Sequence, residues 1–232
     1  MKWPKGHFFY QMITKENIQF LKSLAQHNDR EWFESHKSEF VLYQEEFKLF
    51  HQQLLDLMNK HDQIEKGKVF RIYRDVRFSK DKRPYKTYWS GTFKRATAQL
   101  RGGYYYQIEP GNSFVAGGFF GPESQDLLHI RKQISQDPDP LVSVLSSASF
   151  KEYFGSLEGE KVKTTPKGFA NDDPSIELIR MKQFLVYRHF SDEEVCHKDL
   201  LLKINDSFQA MRPYFDVMSM YLTTDLNGLP LI

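Results

Sequence analysis

One cysteine, Cys196, in 232 residues excludes an intrachain disulfide and any zinc site built on paired cysteines. A reducing compartment suits such a chain. No stretch reaches the roughly 18 consecutive apolar residues of a spanning helix, and the opening residues MKWPKGHFFYQMITKEN hold no apolar run of signal-peptide length. The expectation is a soluble, cytoplasmic protein with no membrane partner. An excess of one charge is missing as well. The 32 Lys and Arg face 30 Asp and Glu, and a formal net charge of +2 is too near balance to make the whole chain a polyanion binder. The eight histidines form no His-Glu-x-x-His and no i, i+4 pair, so no metal is expected. A P-loop Gly-Lys-Ser/Thr, a Gly-x-Ser-x-Gly elbow and a Gly-x-Gly-x-x-Gly turn are all absent, and no cofactor is expected.

What is present is apolar and aromatic material, 40% and 15% of the chain, enough for a sizeable core. Thr14 reads as the N-cap of a short helix with Ile18, Leu21 and Leu24 on its inner face. Asp29 reads as the cap of a longer second helix. Its seam of Phe40, Tyr43, Phe47, Phe50, Leu54 and Leu57 recurs at steps of three and four. After Gly67 the period changes, and Val69 to Ser79 alternates like a strand. Gly103 to Glu109 and Ser113 to Phe120 flank Pro110-Gly111-Asn112, a hairpin signal. Helical patterns return at Ser124 to Gln136 and Asp139 to Gly155, and Lys161 to Pro174 reads as loop. Phe184 to Phe190 is rich in strand formers. Ser191 with Glu194 forms a capping box that opens a helix with Leu201, Ile204, Phe208 and Met211 inside, ended or kinked by Pro213. Neither linker nor repeat divides the chain. These elements predict one α+β domain over residues 1–232, a largely antiparallel sheet packed with N-terminal and C-terminal helices.

The near-neutral total hides a polarised distribution. Between Lys66 and Arg101 lie twelve basic residues and only two acids, Asp75 and Asp81, so this segment carries +10 and the remainder −8. Phe70, Tyr73, Phe78, Tyr85, Tyr88, Trp89 and Phe93 are interleaved with the cations. Cationic heads beside flat rings suit a phosphate-bearing small molecule or a nucleic acid, with Tyr85, Tyr88 or Trp89 stacking on a base. If Phe70 to Phe78 is a strand, Arg74 shares a face with Phe70, Ile72, Val76 and Phe78, where it needs an anionic or carbonyl partner. Lys80, Lys82 and Arg83 precede Pro84 and belong on an exposed loop.

The run Phe70-Arg71-Ile72-Tyr73-Arg74-Asp75-Val76-Arg77-Phe78-Ser79-Lys80-Asp81-Lys82-Arg83-Pro84-Tyr85-Lys86-Thr87-Tyr88 closely resembles the signature of a conserved family, domain of unknown function 2461. Looser similarity appears at Phe20 to Phe33, Gly103-Tyr104-Tyr105, Pro110-Gly111, Gly117-Gly118, Pro166 to Phe169 and Asp173-Pro174, spanning about residues 18–222. The resemblance implies a single compact domain. It brings no activity, substrate, cofactor or catalytic residue with it.

The residues themselves give Arg71, Arg74, Arg77, Lys80, Lys82, Arg83, Tyr85 and Lys86 as candidate ligand contacts. Lys167, in the loop with Asp172 and Asp173, is a second-ranked candidate. Anion binding through 66–101 is the leading reading. Its alternatives are a structural or protein-interaction domain whose charges are neutralised internally, and an enzyme acting on a small anionic substrate.

Overall fold

In a computed structural model describing residues 12–232, the Thr14 hydroxyl accepts the Asn17 N–H at 3.1 Å and opens α1 (Lys15–Gln26). Residues 1–11, where most of the leader reading falls, lie outside the described residues. Asp29 accepts the Trp32 N–H at 2.9 Å, as its position predicts. The helix it caps, α2 (Arg30–Ser35), is nevertheless short, and the aromatic seam belongs to a separate α3 (Lys37–Met58). His36 makes the break: its ring turns back to the Trp32 carbonyl at 2.8 Å and stacks on the Trp32 indole at 3.9 Å. Along the seam Phe40, Phe47, Phe50, Leu54 and Leu57 are buried and Tyr43 is half-buried.

Five strands follow in sequential antiparallel order, β1 (Ile64–Val69), β2 (Trp89–Arg95), β3 (Gly103–Ile108), β4 (Ser113–Phe119) and β5 (Phe184–Phe190). Between β4 and β5 run α4 (Ser124–Gln136), α5 (Asp139–Ser146), α6 (Ala148–Phe154) and α7 (Ile176–Ile179). After β5 come α8 (Asp192–Val195), α9 (Leu200–Ala210) and α10 (Arg212–Thr223). The fold is α+β. Gly111, at φ +74°, makes the β3–β4 turn that the Pro-Gly-Asn sequence predicts.

Several predicted elements differ in extent. No strand runs from Val69 to Ser79. Past Val69 the backbone bonds to its own returning arm, Arg74 N–H to the Pro84 carbonyl and Lys86 N–H to the Ile72 carbonyl, both at 2.8 Å. Residues 70–88 therefore form a long loop whose alternating apolar side chains share no face: Ile72 is 1% exposed and Phe78 96%. Conversely, β2 carries an alternation that sequence reasoning passed over. The predicted 139–155 helix is two, because Ser147 leaves the helical conformation and caps α6 through the Phe150 N–H. The Ser191–Glu194 capping box forms but opens only α8, and the inner-face residues Leu201, Ile204 and Phe208 belong to α9. Pro213 sits in the first turn of α10, where its missing N–H is harmless.

Strand alternation divides the sheet into two unlike faces. Trp89, Phe93, Tyr104, Tyr106, Val115 and Val186 point inward and are buried. The Phe47 ring of α3 lies 5.7 Å from both Trp89 and Tyr106, and Phe208 and Phe215 lie 5.0 and 4.9 Å from Tyr104. His51 also enters this layer, stacked on Phe93 at 4.5 Å with Nδ1 2.9 Å from the Tyr106 hydroxyl. Gly91 permits that approach, since a Cβ there would stand 2.8 Å from the imidazole and 2.6 Å from the Tyr106 ring. The opposite face presents Lys68, Thr92, Lys94, Tyr105, Phe114, Ala116, Leu185 and Tyr187.

Candidate functional site

The basic segment separates into a self-neutralised part and an unneutralised one. Arg74 meets Asp81 at 2.7 Å, and Arg83 meets the same carboxylate at 2.8 Å. Arg77 meets Asp75 at 2.6 Å, Lys94 meets Glu65 at 2.7 Å and Arg101 meets Asp126 at 2.5 Å. The hydrogen bonds from Arg83, reinforced by Arg74, hold the Asp81 carboxyl far below the usual carboxylate range. Those from Arg77 hold Asp75 below it as well. Lys82 donates to the Val76 carbonyl at 3.0 Å. Lys80, Lys82 and Arg83 are exposed, as a loop position predicts. Most of the loop's charge is thus spent on its own conformation.

Arg74 has the partner its chemistry requires, and the Arg83 carbonyl accepts from it at 3.2 Å, yet its side chain is 24% exposed. The buried arginine of the segment is Arg95, at 0% exposure. It follows Trp89, Gly91 and Phe93 on the inward face of β2 and meets Asp62 at 2.9 Å and Asp216 of α10 at 3.0 Å. Asp62 also accepts the Tyr104 hydroxyl at 2.5 Å. That network ties the sheet to the last helix.

Three cations remain grouped. The ammonium groups of Lys68 and Lys86 lie 5.3 and 5.2 Å from the Phe70 ring centre, and Lys86 lies 5.8 Å from that of Tyr88. Burial, then Arg71, then Lys68 push the Lys86 ammonium below the ordinary lysine range. No carboxylate among the described residues forms an ion pair with Lys68, Arg71 or Lys86. Burial is the larger cause of the shift, and the two neighbouring cations add to it.

Tyr85, Trp89 and Lys167 also fall outside this grouping. Tyr85 is 5% exposed, its ring stacked on Phe33 at 4.0 Å and its backbone held at both ends by Asn28. Trp89 is likewise core, its indole N–H donating to Asn17 at 2.6 Å. Neither offers a face to a ligand. Lys167 is exposed on a loop fastened elsewhere, through Asp173 to Ser135 of α4 and through Asn171 to Arg180. No contact joins it to the three cations.

Sequence reasoning missed the neighbouring surface. Phe70 lies 6.3 Å from Tyr105, Tyr105 lies 5.8 Å from Phe114, and Phe114 lies 5.7 Å from both Tyr187 and His189. This row crosses the outward side of the sheet and borders a hollow of about 380 Å³ lined by Tyr105, Phe114, Phe120, Leu185 and Tyr187 among others, none from a helix. Alternation along β3, β4 and β5 was the available signal. Among the described residues no group of three or more His, Cys, Asp or Glu side chains is placed to hold a metal ion. Nor is any helix among them long and apolar enough to cross a membrane.

Taken together, these features define a two-layer α+β protein with helices on one sheet face, a row of rings on the other and a cationic corner at the β1 edge. The chain belongs to the family described as "Conserved hypothetical protein (DUF2461)", whose model matches residues 16–216. No curated protein and no solved structure matches it.

Proposed function

We propose that this protein binds a phosphate-bearing ligand, with Lys68, Arg71 and Lys86 holding the phosphate. One observation carries the reading: Lys68 and Lys86 gather about Phe70, with Arg71 in electrostatic range of Lys86 and no carboxylate ion-paired to any of the three, whereas Arg74, Arg77, Arg83, Lys94, Arg95 and Arg101 are each paired. An anion among them replaces mutual repulsion with attraction. The arginine supplies a fork that matches two phosphate oxygens, and the lysines supply point charges. Binding is favoured over catalysis because the acid in electrostatic range of Arg71 is Asp75, which Arg77 keeps ionised and occupied. The structural alternative describes the loop tip, where charges are internally paired, rather than this corner. With one cysteine, the expected setting is the reducing cytoplasm.

Isothermal titration with inorganic pyrophosphate tests the reading. Wild-type protein is expected to release or absorb heat saturably, and Arg71→Gln with Lys86→Gln to weaken the affinity at least tenfold, about 1.4 kcal/mol. Lys80→Gln with Lys167→Gln, the same loss of charge elsewhere, is expected to change it less than twofold. No saturable binding, or equal weakening by both double variants, counts against the site.

A further inference from the structure

An antiparallel sheet with helices on one face ordinarily presents polar side chains on the other. Here the outward positions of β3, β4 and β5 instead carry Tyr105, Phe114, Leu185 and Tyr187, continued past β1 by Phe70. The rings of Tyr105, Phe114 and Tyr187 are half-buried, and their ring neighbours are one another, Phe70 and His189 rather than aromatic side chains of a helix. A row of flat apolar groups left outside the core marks a surface that meets something. The cations gather at one end of the row. Lys68 and Lys86 stand over its first ring, while Glu109, hydrogen-bonded to Thr87, Gln107 and Asn112, lies near Tyr88 and Tyr105, and Glu158 lies near Tyr187.

We infer that the ligand is a single-stranded nucleic acid drawn across this open face, its bases on Phe70, Tyr105, Phe114 and Tyr187 and a phosphate at Lys68, Arg71 and Lys86. The inference rests on the phosphate-binding reading and adds the class of ligand. Rings with a cationic track are the means by which proteins hold single strands with little regard to sequence. The steps of 5.7 to 6.3 Å between neighbouring rings exceed the ~3.4 Å rise of stacked bases in a duplex. The strand is therefore stretched, with bases parted so that each finds its own ring. A duplex keeps its base faces inside and cannot use the row. Four strand spacings separate β1 from β5, about 19 Å, so a mononucleotide engages one ring and leaves the others bare. A lipid surface fits less well, since the cations border one end of the hollow rather than its circumference.

The test is fluorescence anisotropy of a labelled 12-nucleotide single strand with the full chain at several salt concentrations, beside pyrophosphate titration of the same samples. The strand is expected to bind at least tenfold more tightly than a mononucleotide, with a shallow log–log salt slope of about −0.7 for the one phosphate neutralised. Tyr105→Leu and Tyr187→Leu, which keep apolar bulk but remove the flat ring, are each expected to weaken strand binding about fivefold or more and to leave pyrophosphate binding unchanged. Unchanged pyrophosphate affinity also reports that the variants are folded. The inference fails, and the phosphate reading survives, if pyrophosphate binds while the strand binds no better than a mononucleotide, or if both Leu variants bind the strand as wild type does. Preference for duplex over single strand, or for vesicles containing phosphatidylserine over the strand, also overturns it. If neither pyrophosphate nor strand binds, both readings fall together.

Discussion

Arg95→Met lowers the unfolding free energy by about 3 to 5 kcal/mol, the usual consequence of removing one partner from a buried ion pair. The guanidinium is fully buried between Asp62, itself 2% exposed, and Asp216. Methionine fills much of the volume and packs against Phe215, over whose ring Arg95 now lies at 5.6 Å. It cannot compensate the Asp62 carboxylate, and Arg212, 3.8 Å away, is too distant to take over fully. Adding Asp62→Asn removes the stranded charge while keeping an acceptor for the Tyr104 hydroxyl. More than half of the loss is expected to return in the double variant. Urea denaturation of the wild type, both single variants and the double variant measures this directly. An Arg95→Met protein within 1 kcal/mol of wild type shows that the network carries little stability.

Acid weakens the fold through His51 before most carboxylates are protonated. Burial pushes this imidazole from its ordinary 6.5 down to about 4, and its Nε2 has no hydrogen-bond partner among the described residues. Between those values the unfolded chain takes up a proton that the folded chain refuses, so stability falls as pH falls. The contribution is complete above pH 6.5 and is lost progressively toward pH 4. Its full size is about 3 kcal/mol, from a shift of this extent at 1.36 kcal/mol per unit. His51→Phe retains stacking on Phe93 and removes the titration. Chemical denaturation at several pH values is expected to show wild type losing about 3 kcal/mol more than this variant from pH 7 to 4. Parallel pH profiles for the two proteins contradict the assignment.

Local signals in the sequence were readable, and those that depend on distant partners were not. Thr14, Asp29 and the Ser191–Glu194 pair cap helices because each needs only the next three residues. The β3–β4 hairpin is likewise decided by its own turn. Helix lengths were harder, because His36 and Ser147 end helices through contacts that composition does not mark. At 70–78 the pattern of Ile72, Val76 and Phe78 imitates a strand, but pairing with the arm from Pro84 to Lys86 decides the backbone there. Because 70–88 is a loop, the buried arginine is Arg95 rather than Arg74. The correct alternation, Trp89-Gly91-Phe93-Arg95, lay twenty residues further on, and its partners Asp62 and Asp216 are contributed by other elements. The local charge excess was legible, whereas its division into paired and unpaired cations depends on which carboxylates the fold brings near.

The titration of Lys86 itself, followed by NMR of its side chain with and without saturating pyrophosphate, tests the proposed site most directly. In the free protein its midpoint is expected below the ordinary lysine value of 10.5, since burial, Arg71 and Lys68 all oppose the charged form. Pyrophosphate seated among these cations must favour the charged ammonium and raise that midpoint. A Lys86 midpoint unmoved by saturating pyrophosphate would contradict a phosphate held at Lys68, Arg71 and Lys86.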